Sequence, residues 1–202
     1  MKGETDASDP FELPEFVRDA GAQDPVATAD VMVALATLSG APAASKARER
    51  LLASVRELPM RYAPFYQRLG ALWDLPEERV SEVLTVAKDP ARWQWTALPG
   101  VRQIEVRGGP RTENARVRLL KFSPGVRFPR HRHLGREHVL VLEGSYTDSE
   151  GQVVGPGDLQ VMEPGSEHGL RIHPGEPCIA GLVQFGMEFT GPVLRWVSKL
   201  SG

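Results

Sequence analysis

Two stretches decide the fold of this chain: GVRFPRHRHLGREHVLVLEG at residues 125–144 and GDLQVMEPGSEH at residues 157–168. The first has the spacing Gly-x5-His-x-His-x3-Glu-x6-Gly, and the second has the spacing Gly-x10-His. Successive side chains of a strand alternate between its faces, so His131 and His133 share one face. Glu137 has the same parity, and it shares that face if the strand continues or if a short turn restores the register.

Three imidazoles and one carboxylate at these intervals can surround one divalent metal ion. An isolated His-x-His pair on a strand is more often a surface or core feature than a metal site. All five histidines, however, lie in residues 131–202. His138 follows Glu137 directly, and His173 has the opposite parity to His168, so we expect both to lie outside the set of ligands.

The two stretches resemble the paired motifs of the cupin superfamily, whose members are small antiparallel β-barrels that hold a metal in the barrel mouth. The first stretch fits that pattern at every fixed position, and the second fits at Gly157, Gly165 and His168. The second departs from it at Pro164, which lies one place late, and at Ile172, where the pattern often has asparagine. The metal ligands that this resemblance implies are His131, His133, Glu137 and His168.

We expect one divalent ion, with zinc first and iron, manganese, nickel or copper as alternatives, because nitrogen and oxygen ligands without sulfur suit all of them. Four protein ligands fit either a closed structural site or a catalytic site with open positions. Strand parity places Arg132 and Arg136 on the opposite face. The other polar residues that could reach the barrel mouth, each more often structural than catalytic, are Tyr146, Gln160, Glu163 and Gln184.

The composition is that of an ordinary folded protein. Of the 202 residues, 41% are hydrophobic and 25% are charged, and the formal net charge is −2. That charge argues against general nucleic-acid binding. The chain has no apolar run near the roughly 18 residues of a membrane span, and its amino terminus lacks the pattern of a signal peptide. With no disulfide available to its single cysteine, Cys178, we expect a cytoplasmic protein in which Cys178 is a buried strand residue.

The chain divides into regions with different periodicity. Residues 1–23 are acidic and irregular, which predicts a flexible arm. Residues 24–89 predict about four helices, because apolar residues recur at helical spacing between capping and breaking residues. Short alternating segments between glycine and proline turns follow in residues 90–202 and predict a barrel. We therefore expect an α+β chain in sequence order, with an N-terminal helical region followed by a C-terminal cupin-type antiparallel β-barrel (double-stranded β-helix or jelly roll).

The helical patterns cover residues 24–38, residues 45–58, a segment that begins near Pro64, and a segment that opens at Asp74. In the last of these, Asp74 and Glu77 have the spacing of a capping box. This spacing predicts that the Asp74 side chain caps the fourth helix.

Within the cupins, helices followed by a barrel are similar to the ChrR-type anti-sigma factors, and the similarity covers approximately residues 63–186. In those proteins the helical domain binds a sigma factor and the barrel receives the signal. Residues 1–130 contain neither histidine nor cysteine, so the His-x3-Cys-x-x-Cys zinc motif of that N-terminal domain is absent. Sigma-factor binding therefore does not follow from a motif. The resemblance also implies a homodimer and a small-molecule ligand in the barrel.

Three functions remain open on the sequence. A regulator that couples the barrel metal site to a helical partner-binding region predicts an exposed apolar groove on residues 24–73. A cupin metalloenzyme (a dioxygenase, isomerase or hydrolase) predicts a pocket with an open metal position. A DNA-binding regulator is the least favoured, because its second helix would bring Glu77, Glu78 and Glu82 to the phosphate backbone.

Overall fold

The computed structural model of the chain describes residues 61–190 and three residues nearer the amino terminus, Leu13, Pro14 and Val17. The first two predicted helices and most of the predicted arm lie outside the described residues. Leu13 and Val17 are buried in a core cluster that they share with the helices. Among the described residues, no helix has the length and apolar character that a membrane crossing requires.

Two helices precede the strands. A 3₁₀ turn at Ala63–Phe65 leads into α1, Tyr66–Trp73, and α2 follows at Glu77–Val86. Helix α1 is amphipathic because its apolar residues recur at intervals of three and four, which places them on one side of the helix. The apolar side chains that α1 buries completely are Leu69, Leu72 and Trp73.

The prediction that Asp74 caps the second of these helices was wrong. Asp74 instead ends α1 in a left-handed conformation, with φ of 56°. Its carboxylate accepts hydrogen bonds from the backbone N–H and the Nε–H of Arg111, at 3.0 and 2.9 Å. Helix α2 begins after Pro76 without a side-chain cap, and Glu77 and Glu78 in its first turn are favourable at the positive end of the helix dipole. The Asp74 carboxylate pairs with Arg111, which lies 37 residues later in the chain, and local spacing cannot predict such a contact.

Eleven short strands follow in the described residues. They are β1 (Gln94–Trp95), β2 (Val101–Glu105), β3 (Arg116–Phe122), β4 (Arg127–His133), β5 (Glu137–Glu143), β6 (Tyr146–Asp148), β7 (Val153–Val154), β8 (Leu159–Met162), β9 (Glu167–Ile172), β10 (Cys178–Gln184) and β11 (Met187–Phe189). Two further 3₁₀ turns lie at Pro90–Arg92 and Pro110–Thr112.

The strands form two antiparallel sheets. One has six strands in the order β1-β2-β3-β10-β5-β8, and the other has five in the order β11-β4-β9-β6-β7. Apolar residues from both sheets pack together between them, including Phe122 and Leu182 from the six-stranded sheet and Tyr146 and Ile172 from the five-stranded sheet. The predicted fold class is therefore confirmed as a jelly roll, although the two sheets do not close into one continuous barrel.

The six-stranded sheet is covered on both of its faces. Its inner face packs on the five-stranded sheet, and its outer face packs on the helices through residues such as Leu119, Leu140 and Val183. Strand β10 lies between β3 and β5, and all seven of its residues are buried. A strand that is buried on both faces reads as a continuous apolar run, which explains the composition of residues 178–183.

Helix α1 approaches β10 closely at Gly181. A Cβ atom on Gly181 would lie 2.5 Å from Leu69 Cδ2 and 3.1 Å from Trp73 Cζ2. Only a residue without a side chain leaves room for these two groups. The helix therefore rests directly on the backbone of the strand.

Polar contacts also hold the helical side of the molecule to the sheets. The buried Arg68 in α1 donates hydrogen bonds to the carbonyl oxygens of Gly157 and Val17, at 2.5 and 2.9 Å. The Tyr62 hydroxyl donates to the Glu143 carboxylate at 2.6 Å, and the Arg61 guanidinium forms an ion pair with the same carboxylate at 2.7 Å.

Candidate metal centre

The four predicted ligands come together at one end of the space between the sheets. His131 and His133 lie at the end of β4, and His168 lies in β9 directly opposite His131 in the register of the sheet. Glu137 is the first residue of β5, in the other sheet. All four side chains are buried, and one potential ligand atom from each lies within 4.8 Å of those of the others.

A short turn brings the carboxylate to the imidazoles. Strand β4 ends at His133, and residues 134–136 carry the chain across to the six-stranded sheet before Glu137. Gly135 in this turn lies against the Phe185 carbonyl so closely that a Cβ atom would collide with it. Of the two ways in which Glu137 could share the face of the histidines, the turn is the one that occurs.

The hydrogen bonding of His131 fixes which of its nitrogens faces the cluster. Its Nδ1 lies 3.0 Å from the Pro129 carbonyl oxygen. A carbonyl oxygen only accepts, so Nδ1 carries the proton and, in the neutral ring, Nε2 keeps its lone pair. His131 Nε2 lies 3.1 Å from His168 Nε2. A backbone partner on the far nitrogen is a common arrangement for a histidine that binds a metal.

Three imidazole nitrogens of the cluster are buried and have no hydrogen-bond partner among the described residues. They are both nitrogens of His133 and Nδ1 of His168. A buried polar atom without a partner is costly, so a group that would satisfy it stabilises the site. A neutral imidazole offers one lone pair, so a divalent cation could bind one nitrogen of each histidine together with the Glu137 carboxylate. The donor set therefore fits a metal ion.

Burial sets the charge state of the cluster. It lowers the pKa of His131, and together with the neighbouring imidazoles it lowers the pKa of His133 to about 4 and that of His168 to about 3. Burial raises the pKa of Glu137 to about 7, against the opposing effects of Gln184 and Arg118. The histidines are therefore neutral at neutral pH, which is the form that binds metals.

A chain of polar side chains extends from Glu137 away from the histidines. Gln184 in β10 donates a hydrogen bond from Nε2 to the Glu137 carboxylate. Its Oε1 accepts from Arg118 Nη2 at 2.8 Å, and Arg118 Nη1 donates to Gln103 Oε1 at 3.1 Å. The sequence predicted that Gln184 could reach the site but missed Arg118. The available signal was parity, because Arg118 shares its face of β3 with the buried Phe122.

A cavity of about 260 Å³ lies between the sheets beside the cluster. His131 and Glu137 form part of its wall, and so do Gln184 and Arg118. Most of its remaining lining is apolar. The cavity is a concave, largely apolar space with a few polar groups, which is the usual character of a small-molecule site.

The other polar residues considered from the sequence lie in different places. Tyr146 lines the cavity and donates to Gln160 at 2.7 Å. Glu163 forms an ion pair with Arg136 at 2.9 Å, with more than half of its own side chain exposed to solvent. Arg132 is exposed.

The remaining two histidines do not join the cluster. His138 is buried on β5 outside it. His173 lies between two hydroxyl groups, with Nδ1 2.8 Å from Ser145 Oγ and Nε2 2.7 Å from Thr147 Oγ1. Both placements agree with the strand parity of the sequence.

Comparison with known families places this architecture. A family model described as the ChrR cupin-like domain matches residues 81–185, which is more than half of the chain. The chain belongs to the ChrR cupin-like domain family. The matched residues include the whole candidate metal centre of this ChrR cupin-like domain, together with α2 except for its first four residues.

Solved structures of several proteins are similar to this ChrR cupin-like chain. The complex of Rhodobacter sphaeroides SigE with the anti-sigma ChrR matches with 33% identity over 48% of this chain and 49% of that chain, with a TM-score of 0.42. KdgF from Halomonas sp. matches with 21% identity over 46% of this chain and 87% of its own, with a TM-score of 0.39. The polyketide cyclase RemF from Streptomyces resistomycificus matches with 20% identity over 50% of this chain and 80% of its own, with a TM-score of 0.40. The match to the SigE–ChrR complex thus spans about half the length of that relative. Among curated proteins, none matches this chain.

Proposed function

We propose that this protein is a metal-dependent regulator in which a jelly-roll metal centre is coupled to a helical region that binds a protein partner. The observation that carries the proposal is strand β10. Its inner face presents Leu182 to the cavity and Gln184 to Glu137, and its outer face presents Gly181 to α1. A shift of this strand at the metal centre would change the surface on which the helix rests.

In this proposal His131, His133, Glu137 and His168 hold one divalent ion, with zinc as the first expectation. The ion would link β4 and β9 of one sheet to β5 of the other, because its ligands come from both sheets. Its role here is to join and rigidify these strands.

The proposed partner is a sigma factor bound through the helical region. The support for it is membership of the ChrR cupin-like family together with helices at the expected position before the jelly roll. The relative from Rhodobacter sphaeroides is an anti-sigma protein in complex with SigE. The predicted groove on residues 24–73 falls largely outside the described residues.

Hydrogen exchange measured with and without metal tests the coupling. We expect near-stoichiometric zinc by elemental mass spectrometry, and slower amide exchange in residues 66–73 of the metal-loaded protein. Gly181→Ala should keep the metal but lose its effect on α1, because the added Cβ forces the helix away from β10. Gly155→Ala is the matched control, since a Cβ there would meet only Asp158 Oδ2 at 3.8 Å. An amide exchange rate in α1 that is the same with and without metal would contradict the coupling.

Partner binding is tested separately. Sigma factors of the organism that encodes this chain would be purified with it, in its metal-loaded and metal-free forms. We expect a complex whose stability differs between the two forms. In His168→Ala this difference should disappear. A sigma factor that binds both forms equally, or no sigma factor that binds at all, would leave the metal centre without its proposed readout.

One observation favours a second function, that of a cupin metalloenzyme (a dioxygenase, isomerase or hydrolase) acting on a small molecule. The cavity reaches the cluster, since His131 and Glu137 form part of its wall. Apart from the cluster, however, the titratable residues of the described lining are Arg116, Arg118 and Tyr146, and burial raises the pKa of Tyr146. Tyr146 therefore keeps its proton near neutral pH, and guanidinium groups act as hydrogen-bond donors rather than as proton acceptors, which favours binding over acid–base catalysis. Oxygen consumption by the iron-loaded or manganese-loaded protein would support the enzyme.

A further inference from the structure

The cavity beside the metal centre has the size and lining of a binding site for a specific class of small molecule. Its volume is about 260 Å³. An apolar protein cavity of roughly 150 Å³ accommodates benzene. The space between the sheets therefore has room for a molecule moderately larger than benzene.

One part of the lining is aromatic and apolar. Phe128 makes an edge-to-face contact with Phe122, at 5.8 Å between ring centroids, and lies 5.9 Å from the ring of Phe189. Met187 and Leu170 line the same cavity. Such a wall binds a hydrocarbon chain or ring by removing it from water, and it gives no favourable partner to a polar group.

The polar part of the lining carries a cation that no carboxylate neutralises directly. Arg118 donates to the amide oxygens of Gln184 and Gln103, which are neutral acceptors. Its Nε is buried and has no hydrogen-bond partner among the described residues, and each Nη has a second N–H that these two bonds do not use. Within that part of the chain, no carboxylate lies at ion-pair distance from Arg118. A partly desolvated guanidinium with a free donor is a strong site for an anionic oxygen.

The balance of charge around the cavity points the same way. Two guanidinium groups, of Arg116 and Arg118, line it against the single carboxylate of Glu137. The lining is therefore net positive, and a divalent ion on the cluster would add to that charge. An anion is favoured over a neutral ligand, and a cation is disfavoured.

We infer that this cavity binds an apolar molecule with a single carboxylate, with the carboxylate at Arg118 and the hydrocarbon part against Phe122, Phe128 and Phe189. This inference rests on the proposed function, because it names the chemical class of the signal that reaches the metal centre. A molecule of this kind would contact Gln184 through its carboxylate end and Leu182 through its apolar part. Both residues belong to β10, the strand that carries the helix on its other face.

Calorimetric titration with octanoate and with its neutral analogue octanamide tests the inference. The metal-loaded protein should bind octanoate at least about tenfold more tightly, because an ionised acceptor strengthens a hydrogen bond from a guanidinium group. Arg118→Gln should remove most of this preference, by lowering octanoate affinity and leaving octanamide affinity unchanged. Arg79→Gln is the matched control, because Arg79 is exposed on α2 and pairs with Glu82. Equal affinity for the two probes, or a preference that is undiminished in Arg118→Gln, would overturn the inference.

A second measurement locates the probe without any variant at Arg118. In protein labelled at the methionine methyl groups, octanoate should shift the resonance of Met187, which lines the cavity. Met162, in β8, is outside the lining and should not respond. A shift at Met162 alone would place the probe elsewhere and contradict the assignment.

Repeating the titration after chelation separates this inference from the proposed function. If the protein takes up no zinc but still prefers the carboxylate in a way that depends on Arg118, the metal centre is rejected and the ligand class is kept. Stoichiometric metal with no preference for the carboxylate would keep the metal centre and reject the ligand class.

Discussion

The outer face of the six-stranded sheet meets α1 so closely that Gly181 has no room for a Cβ atom, whereas the inner face borders a cavity of about 260 Å³. Both faces belong to the same strands, and adjacent residues of β10 point to opposite faces, Gly181 to α1 and Leu182 to the cavity. The outer face is closely packed against α1, and this packing fixes the position of the helix. The inner face leaves free space beside the candidate metal ligands. The outer face therefore contributes mainly to stability, whereas the inner face has room for a small molecule.

The largest loss of stability should follow the removal of the largest side chain that packs on the outer face of the six-stranded sheet. Trp73 belongs to α1 and is completely buried against β10, so Trp73→Ala should lower the free energy of unfolding by about 3–5 kcal/mol. Denaturant titration measures the change. Trp95→Ala is the matched control, because Trp95 is 64% exposed and should lose only about 0.5 kcal/mol or less. Similar losses for the two tryptophans would mean that the outer core does not dominate stability.

Two leucines compare the faces directly. Leu69 fills the contact with Gly181, whereas Leu182 lines the cavity. The cost of a Leu→Ala change rises with the empty volume it leaves and varies from about 2 to 5 kcal/mol. We expect Leu69→Ala near the upper end of that range. Leu182→Ala should fall near the lower end, because its neighbours already border open space. Chemical denaturation of both variants, without metal, checks the order, and the reverse order would contradict it.

Metal binding should stabilise the inner face only while its ligands are intact. Zinc at 100 times its dissociation constant should add about 2.7 kcal/mol to the stability of the wild-type protein, through preferential binding to the folded state. His168→Ala should lose this gain and its metal content. His173→Ala should keep both, because His173 lies outside the cluster. Thermal unfolding with and without zinc measures this gain in stability. If His168→Ala retains the gain, His168 is not a metal ligand.

The smallest expected effect is the reaction of iodoacetamide with Cys178 in the native protein, because Cys178 is buried in β10. Burial raises the pKa of its thiol to about 12. The unfolded thiol ionises near about pH 8.5, so the raised pKa favours folding at lower pH, and this contribution is lost as pH rises through the folded value. Since the thiolate is the reactive form, iodoacetamide at about pH 8.5 should label the guanidinium-unfolded protein rapidly and the native protein very slowly. Equal rates would show that the inner face opens freely.

The clustering of the four candidate ligands was predictable in part, because strand geometry and motif spacing are local properties. His131 and His133 needed only alternation along β4. The arrival of His168 from an adjacent strand depended on resemblance, because pairing between distant strands leaves no local pattern.

Arg118 and the cavity were not predictable by the same means. An alternating strand reads as having one core face and one solvent face, but β3 is covered on both sides, so its arginines border an internal space. The role of Asp74 was missed for a related reason, since its partner Arg111 lies 37 residues away.

The two hydrogen bonds of Arg68 bear on the order in which the molecule is made. The Val17 carbonyl is synthesised before its hydrogen-bond donor, because Arg68 follows 51 residues later. The second acceptor of Arg68, the Gly157 carbonyl, follows a further 89 residues along the chain. Arg68 therefore has both of its backbone partners only after the turn before β8 has been synthesised. The link that it forms between Val17 and Gly157 joins two segments that are synthesised 140 residues apart, 51 before Arg68 and 89 after it.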